Sequence, residues 1–220
     1  MKLKNNHKFV LAADGSGASS KTTGAKIISR KYGLKFLSSG LLYRFASYQL
    51  LKHKPKNKVN FLKSKFKKLN YSKLNKIDLH SSKISEYTSI IAKEKKIRDV
   101  LKKFQKDFAS KHKKVCIEGR DIGTVILPKA DLKFFFVCSL NIAAKRRFKE
   151  LKKKNKKIIF KNVKKDLQNR NLRDVSRKNS PLLKSPDAVI VDTGKLRNIT
   201  MMINKMSKHM DRKILDKYGN

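Results

Sequence analysis

The plainest chemistry in the chain belongs to Asp14-Gly15-Ser16-Gly17-Ala18-Ser19-Ser20-Lys21-Thr22-Thr23. These residues stand between an apolar run, Phe9 to Ala13, and a stretch of helical spacing that begins near Thr22. A strand, a glycine-containing turn and a helix N-terminus in that order make an anion cradle. Successive backbone N–H groups and the helix dipole face a phosphate, a lysine ammonium bridges phosphates, and a threonine hydroxyl ligates Mg2+. Against the pattern G-x-x-x-x-G-K-[ST] the fit is Gly15, then Ser16 to Ser19, then Ser20 in place of the second glycine, then Lys21 and Thr22. On this reading Gly15, Ser16, Gly17, Ala18, Ser19, Ser20, Lys21, Thr22 and Thr23 bind ATP phosphates, with Thr22 and Asp14 at the metal. An ordinary polar turn rich in small residues is the alternative for the same positions.

Two more polar turns follow apolar runs: Ser38-Ser39-Gly40 after Leu34 to Leu37, and Gly119-Arg120-Asp121-Ile122-Gly123-Thr124 after Val115-Cys116-Ile117. In an open parallel sheet ligands bind beyond the carboxyl ends of the strands, so three such turns would share one edge. Arginine usage marks the same places. In a chain with 46 Lys and only 11 Arg, the residues Arg44, Arg98, Arg120, Arg170 and Arg177 stand at or near these turns and ordered segments. A planar fork for a phosphate or a base edge is one reason for arginine to persist there. Surface ion pairs with nearby Asp are the other.

The elements that must position these groups are legible in outline. A helix runs to Tyr32 and closes at Gly33; a second, capped by serine, carries Tyr43 and Arg44 in its first turns and ends before Pro55. From 54 to 82 Lys and Asn dominate and apolar residues stand apart, which predicts an exposed insertion with little regular order. Amphipathic spacing returns from Ile84 through Ile97, Leu101, Phe104 and Phe108. The continuous run Leu132 to Cys138 suits a strand covered on both faces, Asn141 to Leu151 is helical, Ala188 to Val191 reads as a last buried strand, and an amphipathic helix ends the chain. Strands alternating with helices predict an α/β fold, a parallel sheet flanked by helices.

At 220 residues the chain is one domain, or one domain with an insertion. Its formal net charge of +41 would ordinarily suggest nucleic acid or an anionic membrane as partner. The excess is dispersed lysine without the aromatic interleaving of a single-strand binder, so compositional drift is the preferred explanation and no dedicated nucleic-acid partner is expected. Cys116 and Cys138 lie in apolar runs and read as buried reduced thiols. The apolar run near the N-terminus is too short for a signal peptide or a span, so no membrane association and a cytoplasmic location are expected.

Taken in order, Asp14-Gly15 with Lys21 and Thr23, Ser39-Gly40 with Tyr43-Arg44, Gly119 to Thr124, Arg146-Arg147, Arg170 with Arg173-Asp174 and Arg177, Ser180-Pro181-Leu182, and Asp187-Ala188 ahead of Asp192-Thr193 resemble bacterial cytidylate (CMP/dCMP) kinases over nearly the whole chain. The resemblance implies a P-loop nucleoside-monophosphate-kinase fold, with core at 1–53 and 114–220, a monophosphate-binding insertion at 54–113 and a lid at about 152–178. It implies a monomer that moves a phosphoryl group directly from ATP to CMP or dCMP with Mg2+. Lys21, Arg120 and Arg177 would be catalytic. Arg44, Arg120 and Arg177 would hold the CMP phosphate; Ser89, Arg98 and Asp121 would read cytosine; Ser39, Arg170 and Asp174 would meet the ribose, and Tyr43 would complete the substrate site. An arginine fork and an aspartate acceptor suit the cytosine edge, and uracil reverses that pattern. The sequence departs from the family at Ser20 for Gly, at Ser38 and Asn171 for Asp, and in an insertion with little strand signal. A related small kinase with another acceptor, and a basic nucleic-acid-binding protein without catalysis, are the competing readings.

Overall fold

Apolar runs long enough to be covered on both faces become the strands, and the small-residue turns that follow them face one way. The computed structural model of the chain describes residues 3–153, 156–196 and 198–219. The expected core and lid spans also contain Met1, Lys2, Lys154, Asn155, Arg197 and Asn220, which lie outside the described residues. In chain order come β1 (Phe9–Gly15), α1 (Lys21–Tyr32), β2 (Lys35–Ser38), α2 (Ser39–His53), α3 (Lys58–Lys67), a 3-10 turn (Tyr71–Lys76), α4 (Ser82–Ile91) and α5 (Lys95–Ser110). Then follow β3 (Lys114–Gly119), a π-helical turn (Ile122–Ile126), β4 (Leu132–Val137), α6 (Leu140–Lys152), α7 (Phe160–Ser176), β5 (Val189–Asp192) and α8 (Ile199–Tyr218). The sheet is parallel, in the order β2-β3-β1-β4-β5. Its register sets Asp14 beside Gly119 and Ser38 beside Glu118, so the three polar turns do share one edge.

Two apolar layers hold the sheet. On one face Ala12, Leu37, Val115 and Ile117 meet Leu42 and Ala46 of α2; on the other Leu11, Ala13, Phe134 and Phe136 meet Ile28 of α1 and Met206 and Met210 of α8. Each large side chain so buried contributes roughly 1.5–3 kcal/mol. Gly15 closes β1 with φ +150°, and a Cβ there would stand 2.3 Å from the Phe136 carbonyl oxygen, so β1 and β4 meet only over glycine.

Several expectations change. Residues 54–82 fold: α3 and the 3-10 turn bury Leu62, Leu74 and Leu79, and Phe66 packs edge-on against Phe45 and Phe104. Phe61, Leu62 and Phe66 fall on one helical stripe, and the lysines between them occupy the opposite face. The amphipathic stretch after Ile84 is two helices, α4 and α5, broken at Ala92 to Glu94. β5 is an edge strand, its Ile190 47% exposed beside a fully covered Val191. Both thiols are free, but only Cys116 is buried; Cys138 lies half-covered in the turn after β4.

Candidate active site

The turn between β1 and α1 rims a cleft of about 1020 Å3, and its residues Ser16 to Thr23 line it. Gly15 does not, being one residue inside the strand; its place is in the sheet rather than at a phosphate. Ser20 caps α1 in the left-handed region, φ +59°, without a side-chain capping bond, and Ala18 has φ +55°. Glycine suits such backbone, so the cradle keeps its shape at a cost of about 1 kcal/mol for the serine. Bracing comes from across the sheet: the Thr193 hydroxyl donates to the Ser19 carbonyl at 3.2 Å, and Arg146 of α6 holds Thr193 through bonds of 2.9 and 2.8 Å.

At the floor of the cleft the Lys21 ammonium pairs with Glu118, the penultimate residue of β3, and both are buried. The Thr22 hydroxyl donates to Glu118 at 3.1 Å, and the Ser38 hydroxyl donates to it as well. Burial pushes the Glu118 carboxyl up, but the Lys21 charge and the bonds from Lys21 and Ser38 outweigh that and hold it below the usual carboxylate range. Burial lowers the Lys21 pKa despite Glu118. Glu118 was missed from sequence, although a carboxylate at the carboxyl end of a parallel strand was a signal of the same kind as Asp14. Asp14, expected at the metal, contacts the turn after β3. Its two oxygens accept the Ile122 and Gly123 N–H groups at 2.8 and 2.7 Å, and burial raises its pKa to about 6 against those bonds. Asp14 therefore holds the turn after β3.

The expected acceptor-side residues converge, and they are engaged with one another. Ser39, Tyr43, Ser89, Arg98, Arg120, Asp121, Arg170, Asp174 and Arg177 line one small cavity of about 40 Å3. Asp121 pairs with Arg98, whose other amino group donates to the Ala92 carbonyl at 3.1 Å and whose guanidinium lies over the Tyr43 ring. Arg120 donates to Asp174 at 2.9 Å, and Arg177 stands 3.5 Å from Asp174 and 3.9 Å from Asp121, its buried Nη2 making no hydrogen bond. Arg44 donates to the Leu79 carbonyl and the Ser85 hydroxyl, at 2.9 and 2.8 Å, and lines the large cleft rather than the small cavity. Burial, then the Arg120 and Arg44 charges, pull Arg170 down to about 9. Burial, then Arg147, pulls Arg44 down to about 10. Both remain cations at neutral pH, and an anion between them would relieve the repulsion.

Helix α7 closes this side. Arg173 donates to Ser89 of α4, the Asn171 carboxamide oxygen accepts the Gly17 N–H at 3.1 Å, and a Cβ on Gly17 would meet Leu167 at 2.7 Å. Helix α7 thus rests directly on the turn between β1 and α1, at Gly17.

Residues 11–212 match the family model described as cytidylate kinase. The chain belongs to the cytidylate kinase family. A cytidylate kinase of Bartonella tribocorum is 37% identical over 193 residues, covering 86% of this chain and 88% of that protein. One of Clostridium tetani is 33% identical over 225 residues, covering 96% and 98%. Among solved structures an uncharacterised Eubacterium ventriosum protein aligns with TM-score 0.55 at 14% identity, covering 93% of this chain and 99% of its own. A Thermus thermophilus protein aligns with TM-score 0.52 at 12% identity, covering 95% and 99%. The parallel sheet and its helices are those of the nucleoside-monophosphate-kinase fold. Cytidylate kinase chemistry uses ATP, and the cleft suits a triphosphate: a helix N-terminus, a buried lysine and Arg120, Arg146, Arg147 and Arg170 face it. The donor set also suits Mg2+, which takes few protein oxygens beside substrate phosphates, here the Thr22 hydroxyl and the Glu118 carboxylate. Among the described residues no helix is long and apolar enough to cross a membrane.

Proposed function

We propose that the chain transfers the γ-phosphoryl group of ATP directly to the 5′-phosphate of CMP and of dCMP, acting as a cytoplasmic monomer. The observation that carries the reading is the junction of two spaces: a cleft floored by Lys21 and walled by Arg44, Arg120, Arg147 and Arg170, and a polar cavity in which Arg98 and Asp121 face each other. Phosphoryl transfer needs alignment and spread positive charge more than a base. Lys21 and the cradle N–H groups would take the donor phosphates, while Arg120, Arg170 and Arg177 would take the acceptor phosphate, Arg177 with the Nη2 that makes no hydrogen bond. Mg2+, held by Thr22 and Glu118, would neutralise charge on the donor oxygens. Arg98 and Asp121, parted from one another, would present donors to cytosine O2 and N3 and an acceptor to its amino group.

A cavity of about 40 Å3 holds a few waters and not a pyrimidine, so α7 and α4 must separate for the acceptor to enter. Coupled ATP turnover over a panel of CMP, dCMP, UMP and AMP tests the assignment. Turnover with CMP and dCMP and little with the others is expected; preference for another monophosphate would overturn it.

A further inference from the structure

On the donor side, the lysine-rich insertion reaches the sheet edge through Tyr71, which lines the large cleft together with Ser72 and His80. The 3-10 turn Tyr71–Lys76 opens on Asn70, whose Oδ1 accepts the Ser72 N–H at 3.1 Å, and it is anchored by the buried Leu74. This geometry sends Tyr71 to the carboxyl end of β2, where its hydroxyl accepts the Ser38 N–H at 2.7 Å. The Tyr71 ring lies 6.1 Å from that of Phe108 on α5. Ser38 is then held at every polar atom it offers to this edge. Its N–H goes to Tyr71, its Oγ accepts the Leu41 N–H at 3.2 Å as the cap of α2, and the same hydroxyl donates to Glu118. Glu118 in turn receives Lys21 and Thr22.

A serine hydroxyl has three staggered positions. The Leu41 N–H occupies a lone pair and the Tyr71 bond fixes the backbone from which the side chain springs, so the proton is left pointing at Glu118. We propose that Tyr71 is a positioning residue for phosphoryl transfer, acting through Ser38 to hold Glu118 and so to aim Lys21 and Thr22 at the cradle. The proposal rests on the reading of this cleft as the site of transfer. It gives the insertion a part in the chemistry at the donor side, in addition to covering the acceptor. If Tyr71 only filled space against Phe108, phenylalanine would serve equally.

Tyr71→Phe keeps the ring and removes the hydroxyl. Displacements of an ångström at a reacting group cost up to about a hundredfold, so for this indirect loosening kcat should fall roughly tenfold, with both KM values within about twofold and the thermal midpoint lowered by a few degrees as the Ser38 N–H loses its acceptor. In a Ser38→Ala background, where the chain to Glu118 is already cut, Tyr71→Phe should change kcat by less than about twofold. Phe108→Leu, which loosens packing and keeps the hydroxyl, should lower the midpoint and leave kcat within about twofold. Wild-type kcat in Tyr71→Phe, equal losses in the two backgrounds, or a matching kcat loss in Phe108→Leu would each overturn the proposal. So would a rise confined to the KM for CMP, which would put the hydroxyl on the acceptor itself. A wild-type chain without CMP turnover would defeat the underlying reading instead, and that measurement precedes any variant.

Discussion

Lys21 and Glu118 neutralise each other beneath the cradle, and this alters what removal of the lysine does. Lys21→Ala should lower kcat by about a hundredfold or more, because positive charge at the transferring phosphate is lost. It also strands a carboxylate that is 2% exposed, so stability should fall by about 3 kcal/mol. Adding Glu118→Gln should restore most of that stability without restoring turnover; urea unfolding and coupled assay separate the two effects, and a single mutant as stable as wild type would contradict the pairing. Asp121 poses the question of base selection. Its partner is Arg98, with Arg177 at 3.9 Å, rather than the adjacent Arg120. If the Arg98–Asp121 pair opens to read cytosine, Asp121→Asn should narrow the CMP-to-UMP ratio of kcat/KM roughly tenfold to a hundredfold, since an amide can turn a donor toward the uracil oxygen. An unchanged ratio would reduce Asp121 to an anchor for Arg98.

Among the elements, α3 and α7 depend on different forces. α3 is held by a narrow apolar stripe against α5 and the start of the core, so it is vulnerable to truncation at its centre. Leu62 is fully buried, and Leu62→Ala should cost about 2–5 kcal/mol in urea unfolding. The ATP KM should hold, because no side chain of α3 lines the cleft; a large rise would mean that α3 shapes the cradle. α7 is held to the site by polar contacts instead. Arg120–Asp174, Arg173–Ser89 and Asn171–Gly17 join it to the sheet edge, to α4 and to the cradle, and Leu167 adds a small apolar cluster with Ala143 and Ala144. Such contacts are individually worth little net free energy, so α7 is held less firmly than the apolar core.

At the scale of the whole molecule the charge of +41 is spread over lysines on the outer faces of most helices, whereas seven of the eleven arginines line the cleft and cavity. Dispersed lysines neutralise nucleic-acid phosphates without reading bases. RNA binding should therefore be detectable only at low salt, weaken by about a thousandfold or more between 50 and 200 mM, and show no sequence preference in a filter or fluorescence assay. Binding that held at the higher salt would point to a dedicated surface. Buried guanidinium forks with fixed partners can discriminate between ligands, whereas solvated ammonium groups cannot.

The order of strands and helices, the cradle and the three turns at one edge could be read from the sequence because they rest on local causes. Continuous apolar runs specify strands, glycines and serines mark the turns, and a parallel sheet sends successive turns to one edge. The helical insertion was misread because Leu62, Phe66 and Leu74 are few among lysines, and sparse stripes give a weak periodic signal. Tertiary structure alone decided which charge meets which. Ser38 and Glu118 are 80 residues apart and meet because β2 and β3 pair in a particular register; Asp14 accepts amides 108 and 109 residues away because the turn after β3 folds over the end of β1; Tyr71 touches Ser38 because a 3-10 turn folds back over the sheet edge. Hydrogen bonds of this kind act over about 3 Å and in fixed directions, so residue types nominate the partners and only the packed chain chooses among them.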